Sequence, residues 1–543
     1  MLSLKYKQNL IILLKFFQGA NYLKKGKHMD KKKTQYTIGQ DNLQKFGLDI
    51  HNPVFIISAM LILAFVIGTL ASPKEAKEIL DGAKWWSINN FDWLFMLSGN
   101  IFVVFCIALI FLPVGKIRIG GSEAKPEFTT FAWFSMLFAA GMGIGLMYWS
   151  VAEPVAYYTG WWHTPLNVVA KTEEARELAM GATMFHWGLH PWAIYAVVGL
   201  SLAFFSHNKK LPLTMRSVFY PILKERIWGW PGHIIDLLAV FATLFGLATS
   251  LGLGAQQISS GLNFLFGIEK SVNTEILIIA VITAIAIVSV VRGLEGGVKI
   301  LSKFNILVAL FLVLFLIIVG PTLLIVTGIG TTLSDYASNI FALSNFVGRE
   351  DSEWYHGWTV FYWAWWIAWS PFVGMFIARV SKGRTVREFI IAVLLIPTFV
   401  TVVWMTTFGV TALDQVIGNV GALANGISDK SLAMFQMLEN LPFSTFTSII
   451  AIFLVVVFFV TSSDSGSLVI DSITSGGKVD SPTKQRVFWA LAEGFIAIAL
   501  LYVGGADALS ALQAGSIATA LPFTVILLIM CFSLYKGLRA ELK

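Results

Sequence analysis

The sequence predicts an all-α integral membrane protein of twelve transmembrane helices, and three observations carry that expectation. Only 13% of the 543 residues are charged and 56% are hydrophobic, whereas soluble domains carry about 25% charged residues. Apolar runs approaching the roughly 20 residues that a helix needs to cross a bilayer recur twelve times. Most of the 39 lysines and arginines fall in alternate connecting segments, the pattern of a chain with both termini cytoplasmic. The formal net charge of +7 is therefore a topology signal, and it gives no ground for a nucleic-acid partner.

In chain order the expected spans cover residues 53–71, 91–113, 130–151, 185–206, 234–262, 273–291, 304–327, 359–379, 388–411, 447–470, 487–503 and 514–535. Residues 1–50 read as a basic, mobile cytoplasmic tail. Their apolar run at 10–17 is interrupted by Lys15 and lacks a small-residue cleavage site, which makes a poor signal peptide, and it is too short to span. Met29 is a second candidate start, with 1–28 then an upstream extension. Residues 293–303 form a short amphipathic stretch, and 536–543 a short cytoplasmic C-terminal tail. Cys106 and Cys531, the only cysteines, lie in apolar runs and read as small core residues.

Two spans are irregular. The third carries Gly141, Gly143 and Gly145 at alternate positions in mid-membrane, each costing a helix roughly 1 kcal/mol relative to alanine. The eighth carries Ser370-Pro371, where proline removes a donor and predicts an interruption. Counted from the third span, these are the first helices of two five-helix halves. An odd number of helices per half inverts the second, and paired broken helices in an inverted repeat mark a secondary transporter with its site at the breaks. Glycine used for close helix packing is the alternative for the third span.

Residues 361–372 read FYWAWWIAWSPF. Indole faces attract an organic cation that has no N–H to donate, each worth about 0.5–2 kcal/mol when desolvated. In the fourth span Trp187, Trp192 and Tyr195 fall within one broad face of a continuous helix. With Trp366 they could box such a cation. Trp354, Trp358 and Trp363, nearer the outer end, fit an interfacial aromatic belt.

GMGIGLMYWSVAEP in the third span, FHWGLHPWAIY in the fourth, FYWAWWIAWSPFVGMFIARVSKGR in the eighth and FFVTSSDSGS in the tenth resemble the betaine/carnitine/choline transporter family. The resemblance covers essentially all twelve spans. It implies a LeuT-like fold of two inverted five-helix repeats (130–327 and 359–535) preceded by two extra helices (53–113), a homotrimer, and transport of trimethylammonium compounds, many with sodium. It further implies that Trp187, Trp192, Tyr195 and Trp366 form the substrate box, that Trp365 adjoins it and that Trp369 lines the inward path. The substrate carboxylate would meet the backbone between Met142 and Gly145 and the hydroxyl of Ser250. Glycine at 145, where choline-preferring relatives tend to carry aspartate, favours a zwitterion such as glycine betaine. One sodium would bind the carbonyls of Ala139, Met142 and Phe458 and the hydroxyls of Thr461 and Ser462. Hydroxyl back-bonding within the helix is the bland alternative for the last two. A second sodium would use Thr243, Asn305 and Phe372, with the match incomplete because Leu247 stands where a hydroxyl is expected. Sodium-independent exchangers of the family carry an arginine in the fifth span, and residues 236–255 contain no cationic side chain. Each entering sodium supplies about 2.3 kcal/mol per 100 mV.

Glu153 and Asp464 are intramembrane carboxylates, for which a gating or structural role is expected ahead of direct substrate contact. Arg379, Lys382, Arg384 and Arg387 read as a cytoplasmic anchor, and His186 and His190 as packing or hydrogen-bonding residues. No zinc motif, nucleophile–base pair or phosphate loop appears, and GMGIG lacks the strand–turn–helix context of a dinucleotide site, so an enzyme is not expected. The expectation is a cell-membrane symporter importing glycine betaine with sodium by alternating access, with no cofactor beyond that ion. Its rivals are a choline or carnitine transporter of the same family and, more remotely, an osmotic or ligand sensor.

Overall fold

Helices dominate the chain, because a backbone crossing hydrocarbon must satisfy its own N–H and C=O groups. The computed structural model describes residues 34–141, 143–292 and 298–542, and Ile38–Leu542 belong to one compact unit. The expectations for residues 1–33, for Met142 and for 293–297 lie outside the described residues.

Before the first span stands an antiparallel hairpin, β1 (Asn42–Lys45) and β2 (Leu48–His51). Its two-residue turn has Phe46 at φ 55° and Gly47 at φ 74°, the doubly positive geometry that suits strand twist. The tail expected to run mobile to residue 50 is thus folded from residue 42 onward. It is also docked: Gln485 accepts from the Asp49 N–H at 2.5 Å and donates to the Asp49 carbonyl at 3.1 Å. Lys478 pairs with the Asp49 carboxylate at 2.5 Å, and Asn42 donates to the Ser475 carbonyl at 2.9 Å. β1 has no alternating apolar face and β2 offers only Leu48 and Ile50, so hydrophobic pattern gives little cue to the hairpin.

The helices follow as α1 (Val54–Ala71), α2 (Pro73–Phe111), α3 (Thr130–Gly141), α4 (Ile144–Thr159), α5 (Glu173–Trp187), α6 (Leu189–Ala203), α7 (Trp230–Phe266), α8 (Val272–Arg292), α9 (Val298–Val319), α10 (Thr322–Ser344), α11 (Phe361–Val380), α12 (Val386–Ile417), α13 (Ser444–Thr474), α14 (Thr483–Gly504) and α15 (Ala508–Glu541), with shorter turns between them. Among the described residues ten helical segments are long and apolar enough to cross a membrane, or up to eleven when the bent pair α9–α10 is counted as one. The expected third span, 130–151, is the pair α3–α4, with extended backbone at Gly143 (φ −169°, ψ −149°). The glycine-rich segment is therefore interrupted as its composition predicts.

Three expectations are corrected. The span 304–327 ends at Val319, where the chain turns by 114° into α10; Pro321 disfavours helical backbone at Gly320, although hydropathy continues past it. The segment 185–206 is two helices meeting at Gly188. A Cβ there would lie 2.6 Å from the Met184 carbonyl and 2.9 Å from the Tyr336 hydroxyl, so only glycine fits. Pro191 lies in the first turn of α6, where its missing N–H costs no intrahelical bond. Conversely, α11 runs unbroken through Pro371. The carbonyl that Pro371 cannot serve is that of Ile367, and the Ser370 hydroxyl donates to it at 2.7 Å.

Helix α11 is the hub, packed on α6, α7 and α15, and its first twelve residues are all buried. Trp354, Trp358 and Trp363 are buried too, which overturns the interfacial belt. Trp363 stacks on His190 at 5.3 Å and Trp358 stands edge-on to Trp149 at the same distance. Exposed apolar stripes lie elsewhere, for instance Leu277, Val281, Ile285 and Val288 on α8, spaced three and four apart on one helix face. The basic run after α11 holds neighbouring segments: Lys382 pairs with Glu127 at 2.6 Å, Arg384 lies 4.5 Å from the Trp133 ring, and Arg387 donates to the Ile110 carbonyl at 2.7 Å.

Candidate functional site

Helices α4, α5, α6, α7 and α11 converge on a cluster of buried rings. Trp365 and Trp366 are parallel, with centroids 5.0 Å apart and planes 13° from each other. Trp366 meets Trp187 edge-to-face at 4.9 Å and Tyr195 at 6.1 Å. Trp192 joins through Tyr195 at 5.4 Å. Hydrogen bonds fix the two central indoles, since Trp366 Nε1 donates to the His186 carbonyl at 2.9 Å and Trp365 Nε1 to Ser250 Oγ at 3.2 Å. Gly145, in the first turn of α4, closes the cluster: a Cβ there would stand 2.8 Å from both the Trp187 and Trp365 rings.

Six expected site residues therefore meet directly (Gly145, Trp187, Tyr195, Ser250, Trp365 and Trp366), with Trp192 behind Tyr195. They do not meet for the reason of shared helical phase. The break at Gly188 separates Trp187, the last residue of α5, from Trp192 and Tyr195 on α6. Trp369 lies apart, packed on Phe372 at 5.4 Å, with Gly246 beneath it, where a Cβ would come within 3.0 Å of its ring. Its Nε1 is buried without a partner.

Glu153 is wholly buried behind this cluster. Its Oε1 accepts from Tyr157 Oη at 2.9 Å and His186 Nδ1 at 2.8 Å; its Oε2 accepts from Trp187 Nε1 at 2.7 Å and Tyr362 Oη at 2.5 Å. Glu153 is thereby tied to Trp187, an indole expected in the substrate box. The legible part is Tyr157, four residues on along the same helix face.

The expected cation ligands are more scattered. The Thr461 hydroxyl back-bonds to the carbonyls of Val457 at 2.9 Å and Phe458 at 3.2 Å, with half-buried Ser462 beside it. Ala139 lies in the last turn of α3. Thr243 back-bonds to the Ala239 carbonyl at 2.7 Å, and Asn305 keeps a buried Oδ1 without a partner, so hydrogen bonds do not join the second set. Leu247 packs under Gly466, close to the Glu493 carboxylate. Asp464 accepts from Ser289 at 2.5 Å. Among the described residues no group of three histidines, cysteines or carboxylates could hold a metal ion.

Long apolar helices, broken where they meet a buried aromatic cluster, define a membrane transporter. The sequence pattern of the betaine/carnitine/choline family transporters matches residues 53–543, and the chain belongs to that family; it is a transporter and not an enzyme. It is 63% identical over 510 residues to glycine betaine transporter 1 of Vibrio parahaemolyticus, covering 94% of this chain and 97% of the relative. It is 59% identical over 511 residues to a glycine betaine/proline/choline/ectoine transporter of the same organism, covering 94% and 91%. A glycine betaine transporter of Acinetobacter baylyi is 42% identical over 496 residues, covering 91% and 74%.

Proposed function

We propose that the chain imports glycine betaine, or a close trimethylammonium osmoprotectant, by sodium symport across the cell membrane. The observation that carries this is the convergence of Trp187, Tyr195, Trp365 and Trp366 on Gly145. Their aromatic faces suit a quaternary ammonium, which cannot be hydrogen-bonded, and the interrupted backbone before Gly145 can meet a carboxylate. The names of the similar proteins agree with that substrate class. The substrate contacts are Trp187, Trp192, Tyr195, Trp365, Trp366, Met142, Gly145 and Ser250, with Trp369 on the inward path. Sodium binds at Ala139, Met142, Phe458, Thr461 and Ser462, and a second ion at Thr243, Asn305 and Phe372.

In this reading the chain crosses the membrane twelve times, α3–α4 and α5–α6 each counting once, with both termini cytoplasmic. The halves α3–α9 and α11–α15 form a LeuT-like inverted repeat after two extra helices, and the protein assembles as a trimer. Pairwise packing of α7 with α13 and of α8 with α14, the third and fourth members of each half, supports the repeat. Rocking the broken helices against the rest alternates access.

Uptake of radiolabelled glycine betaine into proteoliposomes, with sodium or potassium outside, tests the proposal. Accumulation with sodium alone is expected; equal uptake in both removes the coupling, and no uptake in either removes the substrate. Competition by choline and carnitine separates the rivals within the family. The broader name of the second relative makes a wider substrate range the second reading.

A further inference from the structure

Glu153 poses an electrostatic problem. It is a fully buried carboxylate inside a membrane protein, and among the described residues the only basic side chain in contact with it is that of His186. Neither lysine nor arginine reaches it. A carboxylate offers about four acceptor positions, and four donors fill them: Tyr157 Oη, His186 Nδ1, Trp187 Nε1 and Tyr362 Oη. With His186 donating from Nδ1, its Nε2 accepts from the Thr359 hydroxyl at 3.0 Å, so the donor pattern is complete.

We infer that Glu153 is a positioning and specificity-determining residue, the counter-charge for the substrate's quaternary ammonium, acting through the Trp187 indole. The inference rests on the proposed trimethylammonium site. A carboxylate with free oxygens beside that site would coordinate sodium or potassium as readily as an organic cation, because hard cations seek oxygen ligands. With all four positions occupied it has no oxygen to offer a metal ion. Its negative potential nevertheless persists in a medium of low dielectric. It also draws on the Trp187 N–H, which polarises the ring and strengthens the attraction of its face for a cation. The arrangement thus selects charge without coordination.

Glu153→Gln tests the inference cleanly, because the hydrogen bonds can survive the loss of charge. The amide oxygen can accept from Trp187 and Tyr362, while the amide N–H groups donate to the Tyr157 hydroxyl and to His186 Nδ1 in its other tautomer. The probes are choline and 3,3-dimethylbutan-1-ol, its uncharged isostere with a tert-butyl group in place of trimethylammonium. Each is measured as an inhibitor of radiolabelled betaine uptake in proteoliposomes, and the ratio of the two inhibition constants is the readout. Glu153→Gln is expected to shrink the preference for choline by about tenfold or more, a 1.4 kcal/mol change, without altering the sodium dependence. Glu153→Asp keeps the charge and is expected to hold the wild-type ratio even as both compounds weaken. A merely structural residue would weaken both inhibitors by one factor and leave the ratio unchanged in Glu153→Gln, and that outcome overturns the inference. So does loss of the ratio in Glu153→Asp. If wild-type protein neither takes up betaine nor responds to choline, the functional reading itself falls, which is a separate result.

Discussion

At the scale of the residue, Gly145 sets the tolerance of the aromatic cluster. A methyl group at this position would press on Trp187 and Trp365 at 2.8 Å each, and both rings are tied, one to Glu153 and the other to Ser250. Overpacking of this kind costs about 1–3 kcal/mol. Gly145→Ala is therefore expected to raise the apparent KM for betaine about tenfold or more, while Gly82→Ala, which meets nothing within 4 Å, leaves it unchanged; equal KM values in the two variants would refute the tight fit. The aromatic members were legible because tryptophan concentrations inside apolar spans stand out by composition. The Glu153 network was not, since its donors come from three segments (Tyr157, the His186–Trp187 pair, and Tyr362) that only the tertiary fold brings together.

At the scale of the element, proline acts in opposite ways in α11 and after α9. Pro321 ends a helix, whereas Pro371 leaves one intact because Ser370 serves the abandoned Ile367 carbonyl. Removing that hydroxyl leaves a buried acceptor unpaired, a loss of about 1–3 kcal/mol. Ser370→Ala should lower the melting temperature of the purified protein. Adding Pro371→Ala, which restores an N–H four residues beyond Ile367, should recover it; a Tm indifferent to both changes would mean the hydroxyl is dispensable. A serine directly before a proline is a sequence cue that the break can be healed locally. At 320–321 the cue was Pro321 itself, masked by hydropathy that stays high on both sides. The break at Gly188 was similarly concealed within an apolar segment, with Gly188 and Pro191 as its markers.

At the scale of the whole molecule, hydropathy identified the membrane bundle, while exact helix ends depended on single glycines and prolines. The hairpin was barely legible, with only Leu48 and Ile50 alternating, because its stability comes from docking, through Asp49, Gln485 and Lys478, onto the start of α14 and the turn before it. Gln485→Ala leaves both backbone groups of Asp49 without these partners. Faster proteolytic cleavage within residues 42–51, with the bundle intact, is the expected result; unchanged cleavage would show that other contacts suffice. His51, at the end of the hairpin, is held at about 3, below its ordinary 6.5, by burial first and then by the charges of Arg216 and His233. Its folded pKa is depressed, so its contribution to docking is complete above pH 6.5 and declines as the pH falls toward 3. The same cleavage assay should therefore accelerate on acidification.

The parallel Trp365–Trp366 pair, with Trp187 set across it, has one more consequence. Rings in van der Waals contact share their electronic excitation, so the cluster carries its own chromophore. A solute that parts or tilts these rings must change the near-ultraviolet circular dichroism of the detergent-solubilised protein. Occupancy can then be followed by light alone, with neither a vesicle nor an ion gradient, and binding becomes separable from the energetics of accumulation.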